Sequence, residues 1–242
     1  DATLTEDGYT GDTYCSVCDK LLKTGTVIPK TGATVTWIVD GVTTTQVYAY
    51  GDVPAYNDTP TKAETPYYTY AFTGWDKELT AVTGDVTYTA QFQAVGKNGL
   101  CIDGDDTYWL ENGQIVKDKG LTQVQDAEGH NLYYYFGADG KAVKNVLPAG
   151  GHDFWISADK TNGLLPEWGY YFDENGVILH NEQFQNGIVT EDDAKYYYID
   201  GIRVHMGMFQ LDGSYYYAKS SGQLVTGKEY YCERMNDTGL KA

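Results

Sequence analysis

The sequence predicts an all-β chain in which one sheet-forming unit precedes an array of repeated hairpins. Three observations predict it. Runs rich in Val, Thr, Tyr and Phe alternate with period two and are bounded by Gly, Asp or Pro, as strands require. Two or three consecutive aromatics, a few turn residues ending in Gly, and a short apolar run recur as a unit along the second half of the chain. Gly contributes 28 and Tyr 23 of the 242 residues, so the core must be built from rings and turns more than from Leu and Ile.

Residues 1–33 are polar and turn-rich, with Gly8, Gly11, Gly25, Pro29 and Gly32, and sustain neither period. They are predicted to be an irregular segment or linker. Residues 34–94 then give four strands in TVTWIVDG, TTTQVYAYGD, YYTYAFTGWDKE and VTYTAQFQA. VPAYNDTPTKAETP joins the second to the third and holds three of the six prolines, leaving room for a turn of helix or none.

From residue 95 the chain repeats itself. The segment from Asn98 aligns with that from Asn186, placing Trp109 on Tyr197 and Gly113 on Gly201. LYYYFGADGKAV aligns with SYYYAKSSGQLV, and FWISADKTNGLL with YYCERMNDTGLK. The second copy stops at Ala242, just before the counterpart of GYYFDENGVIL, which predicts that the chain is a piece of a longer array. In each unit Asn-Gly, Asp-Gly or Ser-Gly sits between alternating runs, the strongest short-range hairpin signal, because these residues tolerate positive φ. Within a YYY run the middle ring faces away from its neighbours, so one side can be buried while the other stays available. A single hairpin is marginal alone and must stack on the next.

Two resemblances rest on these residues. Residues 34–94, with TWIVDG, AYGD, FTGWDKE and TGDVTYTAQF in order, resemble the repeat of Gram-positive surface proteins that includes the B repeat of listerial internalins; this implies a small β-grasp-like fold, a spacer or adhesin role and an extracellular address. Residues 98–242 resemble the cell-wall-binding repeats of choline-binding proteins and of the glucan-binding domains of streptococcal glucosyltransferases. Those are hairpin solenoids with aromatic ligand sites between hairpins. The predicted whole is therefore a small β-grasp-like unit followed by repeated β-hairpins, as a solenoid or a curved sheet. Family members carry a Trp after each hairpin that walls a choline cage; here the matching places hold Leu121, Phe184, Phe209 and Tyr230. A quaternary ammonium is held best over Trp faces, so a sugar platform is the better expectation.

Composition excludes other partners. With 17 Lys+Arg against 34 Asp+Glu the net charge is −17, which repels nucleic acid and anionic membrane surfaces. No apolar run of membrane-spanning length occurs. Catalysis is not expected: five serines avoid G-x-S-x-G, and His130, His152, His180 and His205 avoid H-E-x-x-H. No cofactor is expected beyond a candidate calcium ion at Asp103, Asp105 and Asp106, with Glu191, Asp192 and Asp193 at the corresponding place; solvated turns explain the same residues. Cys15 and Cys18 fit a local disulfide, half of a zinc site or a redox pair. Cys101 and Cys232 fall where the other copy has Val189 and Ile156, which predicts small buried side chains, and whether they are bonded to each other is left open.

The rings remain. Tyr108, Trp109, Tyr134, Trp155, Trp168, Tyr171, Tyr197 and Tyr216 are the candidate platform for stacking sugar rings, although thin hairpin stacks need most of their aromatics as core. The expected function is a non-catalytic, extracellular, secreted or surface-attached module that binds a cell-wall polymer, an α-glucan or a host glycan, including one on a host glycoprotein. A protein-binding adhesin or a structural stalk is the alternative.

Overall fold

A computed structural model of the chain describes residues 1–148 and 153–226 and divides into two compact units, Asp1–Lys97 and Asn98–Ala242. It is all-β: among the described residues twenty strands are joined by turns, with a 3-10 turn at Ala158–Lys160.

In the first unit, β1 (Gly8–Tyr9), β2 (Thr13–Tyr14), β3 (Leu21–Lys23) and β4 (Val27–Ile28) form two small antiparallel sheets, β1 with β4 and β2 with β3. The segment expected to be irregular is therefore organised; strands of two or three residues are too short to display a period. Asp12 knits it together. Its Oδ1 accepts from the Tyr9 hydroxyl at 2.5 Å and the Gly25 N–H at 2.7 Å, and the Tyr9 hydrogen bond, then the Gly25 one, holds this carboxyl below its ordinary pKa.

The larger sheet of this unit comprises β5 (Gly32–Val39), β6 (Val42–Ala49), β7 (Tyr68–Trp75) and β8 (Val86–Gly96) in the order β6-β5-β8-β7. Its central pair is parallel and its outer pairs antiparallel, which is the β-grasp arrangement. Asp40 and Gly41, at φ 47° and 80°, make the tight turn between β5 and β6. No helix forms between β6 and β7; instead Tyr56 packs on Trp37 and Trp75, with ring centroids 5.4 and 5.2 Å away, and covers the sheet. Trp37 is fully buried against Tyr88, and its indole N–H donates to Gln46 Oε1 at 2.9 Å.

The second unit opens with β9 (Gly99–Asp103), β10 (Asp106–Glu111) and β11 (Gln114–Ile115), a three-stranded sheet. Two-stranded sheets follow from β12 (Gly120–Gln125) with β13 (Asn131–Phe136), and β14 (Phe154–Ile156) with β15 (Trp168–Tyr170). β16 (Gly187–Glu191), β17 (Ala194–Ile199) and β18 (Ile202–Arg203) repeat the three-stranded form, and β19 (Gly207–Leu211) pairs with β20 (Ser214–Ala218).

The internal repeat holds at the level of single hydrogen bonds. Asn112 and Asp200, at φ 51° and 48°, begin matching turns, and each gives its N–H to the side chain of the Asn that opens its sheet, Asn98 or Asn186, at 2.8 Å. After each aromatic run the chain turns at Gly140, Gly176 or Gly222, all at positive φ, and the next residue but one returns to the preceding hairpin. Thus the Ala142 N–H donates to the Thr107 carbonyl, Ile178 to Tyr133 and Leu224 to Lys195, at 2.7–2.8 Å. The result is a stack of separate small sheets rather than one continuous curved sheet. At the equivalent places Phe136, Phe172 and Ala218 are fully buried.

Alternation within the aromatic runs is also visible. Tyr133 and Tyr135 enter one core cluster, with Leu121, Ile156 and Phe172, while Tyr134 and Phe136 enter another with Val177. Both faces of this run are covered, contrary to the expectation that one stays available, because hairpins pack on each side of it.

Candidate functional site: an aromatic groove

The eight candidate rings separate into distinct environments. Tyr134 is only 6% exposed and packs on Phe136, so it is a core residue and not part of a platform. Trp109 leans on Phe136 and carries the Lys119 ammonium 4.8 Å above its ring, and Tyr108 donates to Asp106 at 3.2 Å. These three do not form a common surface with the others.

Trp155 meets Trp168, and Trp168 shares a groove with Tyr171. In the β14–β15 register Trp155 lies opposite Gly169, and its ring, 54% exposed, tilts against Trp168 at 5.7 Å. Trp168 stacks on His205 with centroids 5.6 Å apart and planes 3° from parallel. Trp168, Tyr171 and His205, together with Asp153, Arg203 and Ser220, line a groove of ≈ 290 Å³.

The electrostatics of the groove follow from local bonding. His205 Nδ1 lies 3.0 Å from the Ser220 carbonyl oxygen; that oxygen can only accept, so Nδ1 carries the proton and Nε2 keeps its lone pair. Burial holds the imidazole below its ordinary pKa, against the pull of the Ser220 hydrogen bond, and the ring is neutral at pH 7. Arg203 is spoken for: it donates to Glu191 Oε2 at 2.7 Å and to the Tyr198 hydroxyl, and its guanidinium lies 4.1 Å over the Tyr196 ring. The groove thus offers aromatic faces and a neutral acceptor, with its cation already compensated.

Tyr197 and Tyr216 are joined by a ring absent from the candidates. Phe209 stacks on Tyr197 at 4.5 Å and on Tyr216 at 5.6 Å, both nearly parallel. The sequence resemblance sets Phe209 and Leu121 at equivalent places. The strand registers correct one detail there: Leu121 faces Tyr135 as Met208 faces Tyr217, so Leu121 matches Met208 and Phe209 matches Thr122. Phe184 forms a second such stack, lying between His130 at 4.0 Å and His180 at 4.3 Å.

The proposed ion and thiol sites fare differently. Asp106, one of the calcium candidates, has Lys141 Nζ 2.6 Å from Oδ2, and the hydrogen bond from that ammonium, outweighing burial, lowers its pKa. Lys144 donates to the Asp105 carbonyl at 3.0 Å. Asp192 and Asp193 hold the positive-φ turn between β16 and β17. Among the described residues the one group whose ligand atoms lie close enough for an ion, all within 4.8 Å, is Asp126, Glu128 and His130. Asp126 there already closes its own turn through the Glu128 and His130 N–H groups. Cys15 and Cys18 are thiols in the turn between β2 and β3 rather than a disulfide, and the Val17 N–H first, then Cys18, lowers the Cys15 pKa. Cys101 is buried, as its apolar counterpart predicts; Cys232, Tyr230, His152 and the final repeat segment lie outside the described residues.

A second groove, of ≈ 550 Å³, is lined by Leu100, Ile102, Tyr134, Lys144 and Val177 among others. Its walls are mainly aliphatic and short polar side chains. It lacks an open ring face on which a sugar could stack.

No family model matches the sequence. Among curated proteins, glucosyltransferase-I of Streptococcus downei is 30% identical over 169 residues, which is 60% of this chain and 10% of that enzyme. The chain therefore spans about a tenth of the length of this relative. Similar solved structures include an alternansucrase in complex with isomaltononaose, at 23% identity and TM-score 0.29 over 56% of this chain and 10% of that one. Choline-binding protein F from Streptococcus pneumoniae is 15% identical with a TM-score of 0.18, covering 92% of this chain and 96% of that one. The autolysin LytC from the same organism is 17% identical with a TM-score of 0.18, over 60% and 42%. Scores this low establish no common arrangement of the whole chains. Among the described residues no helix is long and apolar enough to cross a membrane.

Proposed function

We propose that the chain is a non-catalytic carbohydrate-binding module of an extracellular or surface-attached bacterial protein, and that the Trp168–Tyr171–His205 groove, with Trp155 packed on Trp168 beside it, is its binding site. The carrying observation is the near-parallel Trp168–His205 stack beside the 54%-exposed Trp155, which offers flat apolar faces at the edge of an open groove. Sugar rings present C–H faces that stack on such surfaces, while Tyr and Trp contribute large contact area at low entropic cost. Similarity to a glucosyltransferase over 60% of the chain supports a glucan as the ligand. Residues 34–94 would serve as a spacer or adhesin module, as their resemblance to internalin B repeats implies. Repetition of weak sites strengthens the whole.

The test is binding of the chain to arrayed wall polymers, α-glucans, mucin glycans and deglycosylated proteins. Selective retention on one glycan class, lost in Trp168→Ala, supports this reading; retention on protein spots alone sinks it. One observation favours the second reading, a protein-binding surface: Met206, Met208 and Tyr215, in and next to the β19–β20 hairpin, are 52%, 47% and 70% exposed.

A further inference from the structure

One carboxylate of the groove has no partner among the described residues. Of the groove's described lining residues only Asp153 and Arg203 bear an acidic or strongly basic side chain, and Arg203 is committed to Glu191 and Tyr198. Among the described residues no hydrogen bond or ion pair engages the Asp153 carboxylate. Its seat is nonetheless defined. A Cβ placed on Gly169 would lie 1.7 Å from Asp153 Oδ2 and 2.3 Å from its Cγ, so the carboxylate rests directly on the glycine backbone. Gly169 is buried, and the residue before it is Trp168, the stacking ring. Asp153 and Trp155 are two residues apart at the start of β14, and Trp155 lies opposite Gly169. The sequence thus omits a side chain at position 169 where any side chain would expel the carboxylate from the groove.

Resting on the carbohydrate reading, we propose that Asp153 is the specificity-determining residue of the groove, accepting hydroxyl hydrogen bonds from a neutral hexopyranose, and that Gly169 is the positioning residue that seats it. An ionised carboxylate has two acceptor oxygens and no donor, which matches two O–H groups on adjacent ring carbons. Hydrogen bonds to an ionised acceptor are the strong ones. With His205 Nε2 also a bare acceptor, the polar rim calls for donors, which every unmodified sugar hydroxyl supplies. The same carboxylate, on a chain of net charge −17, rejects uronic-acid and phosphate-bearing polymers.

The experiment compares wild type with Asp153→Asn, Asp153→Ala, Gly169→Ala and Trp168→Ala by calorimetric titration of a neutral glucan oligosaccharide and of an oligouronate, with the fold checked by near-ultraviolet circular dichroism. Expected is a loss of roughly tenfold in neutral-glucan affinity for both Asp153 variants, from the loss of charge-assisted hydrogen bonds. Asp153→Asn should also narrow the preference for the neutral over the acidic sugar, and Gly169→Ala should copy Asp153→Ala. Affinity within twofold of wild type in both Asp153 variants, with Trp168→Ala inactive, overturns the proposal and leaves the carbohydrate reading intact. Displacement of the glucan by millimolar choline that depends on Asp153 overturns it too, because the carboxylate would then serve a cation. Absence of binding to any glycan by the wild-type chain removes the carbohydrate reading itself.

Discussion

The phenol of Tyr133 donates a 2.6 Å hydrogen bond to Oδ2 of Asp200, joining β13 to the turn that follows β17, 67 residues away. Asn131 and Asn186 give further hydrogen bonds to the same carboxylate, each at 3.1 Å. Burial works to raise the Asp200 pKa, but the Tyr133, Asn186 and Asn131 hydrogen bonds outweigh it and the net shift is downward. In the other copy the equivalent turn residue is Asn112, so this tie belongs to one repeat only. It ties the β12–β13 hairpin to the sheet of β16, β17 and β18.

Removal of the tie has a predictable effect. Tyr133→Phe deletes the donor and leaves a partly buried carboxylate short of one partner, which should destabilise the second unit by about 1–3 kcal/mol. Asp200→Asn should cost less than Asp200→Ala, since Asn keeps an acceptor and tolerates the positive φ of the turn. Urea denaturation followed by tyrosine fluorescence checks both. Equal stability in Tyr133→Phe and wild type would show that the bond contributes nothing beyond packing.

Alkaline pH should weaken the same unit. Burial, reinforced at Tyr133 by Asp200, raises the pKa of Tyr133, and burial raises that of Tyr170, above the ordinary value of 10.0. A raised folded-state pKa means that stability is complete below pH 10 and declines as pH rises above it, because the unfolded chain loses its phenolic protons first. Asp200 acts oppositely: its lowered pKa gives stability present above the ordinary value of 3.8 and lost as pH falls below it. The melting temperature should therefore fall on both sides of a broad plateau. A melting temperature still flat well above pH 10 would contradict the buried state of these phenols.

Much of this architecture was legible beforehand because hairpin turns are written in residue types. Asp40-Gly41, Asn112-Gly113, Asp200-Gly201 and Asp212-Gly213 all adopt the positive φ values that the dipeptides suggest. The repeat from Asn98 to Asn186 survives as equivalent hydrogen bonds. The two sheets at 8–28 were not legible, since a two-residue strand carries no period and Asp12 organises it through contacts invisible in sequence. Which rings are exposed was equally hidden: Tyr133 to Tyr135 and Tyr215 to Tyr217 read alike, yet Tyr133 is 4% and its counterpart Tyr215 70% exposed, because neighbouring hairpins decide burial. His205 and Asp153 entered the groove without a motif. One signal was available for His205, which replaces Lys117 of the other copy; none was available for Asp153, whose place depends on the missing side chain of Gly169.

Binding and stability should separate along the aromatic residues. Trp155→Ala removes a 54%-exposed ring packed on Trp168 of the groove, so it should weaken glycan binding several-fold while changing stability by about 1 kcal/mol or less. Tyr134→Ala excavates the core cluster of Phe136 and Val177 and should cost about 3–5 kcal/mol. Paired measurements of melting temperature and glucan affinity test the separation. A large stability loss in Trp155→Ala would mean that the exposed ring is structural after all.

Turn glycines offer the final prediction, since two of them share a conformation and differ in surroundings. Gly201 and Gly213 have φ of 77° and 78°. A Cβ on Gly213 meets nothing within 4 Å, whereas one on Gly201 meets Asn181 Oδ1 at 2.7 Å and the Asn181 carbonyl oxygen at 3.0 Å. Gly213→Ala should therefore cost only the left-handed backbone strain, about 1–2 kcal/mol. Gly201→Ala carries the same strain and must also push back Asn181, whose backbone N–H is tied to the Gly201 carbonyl at 2.9 Å. The second variant should unfold at lower urea than the first, and the gap between their midpoints measures how rigidly Asn181 seals that turn. Coincident midpoints would show that the Asn181 segment yields freely, and that strain at the turn is the entire effect.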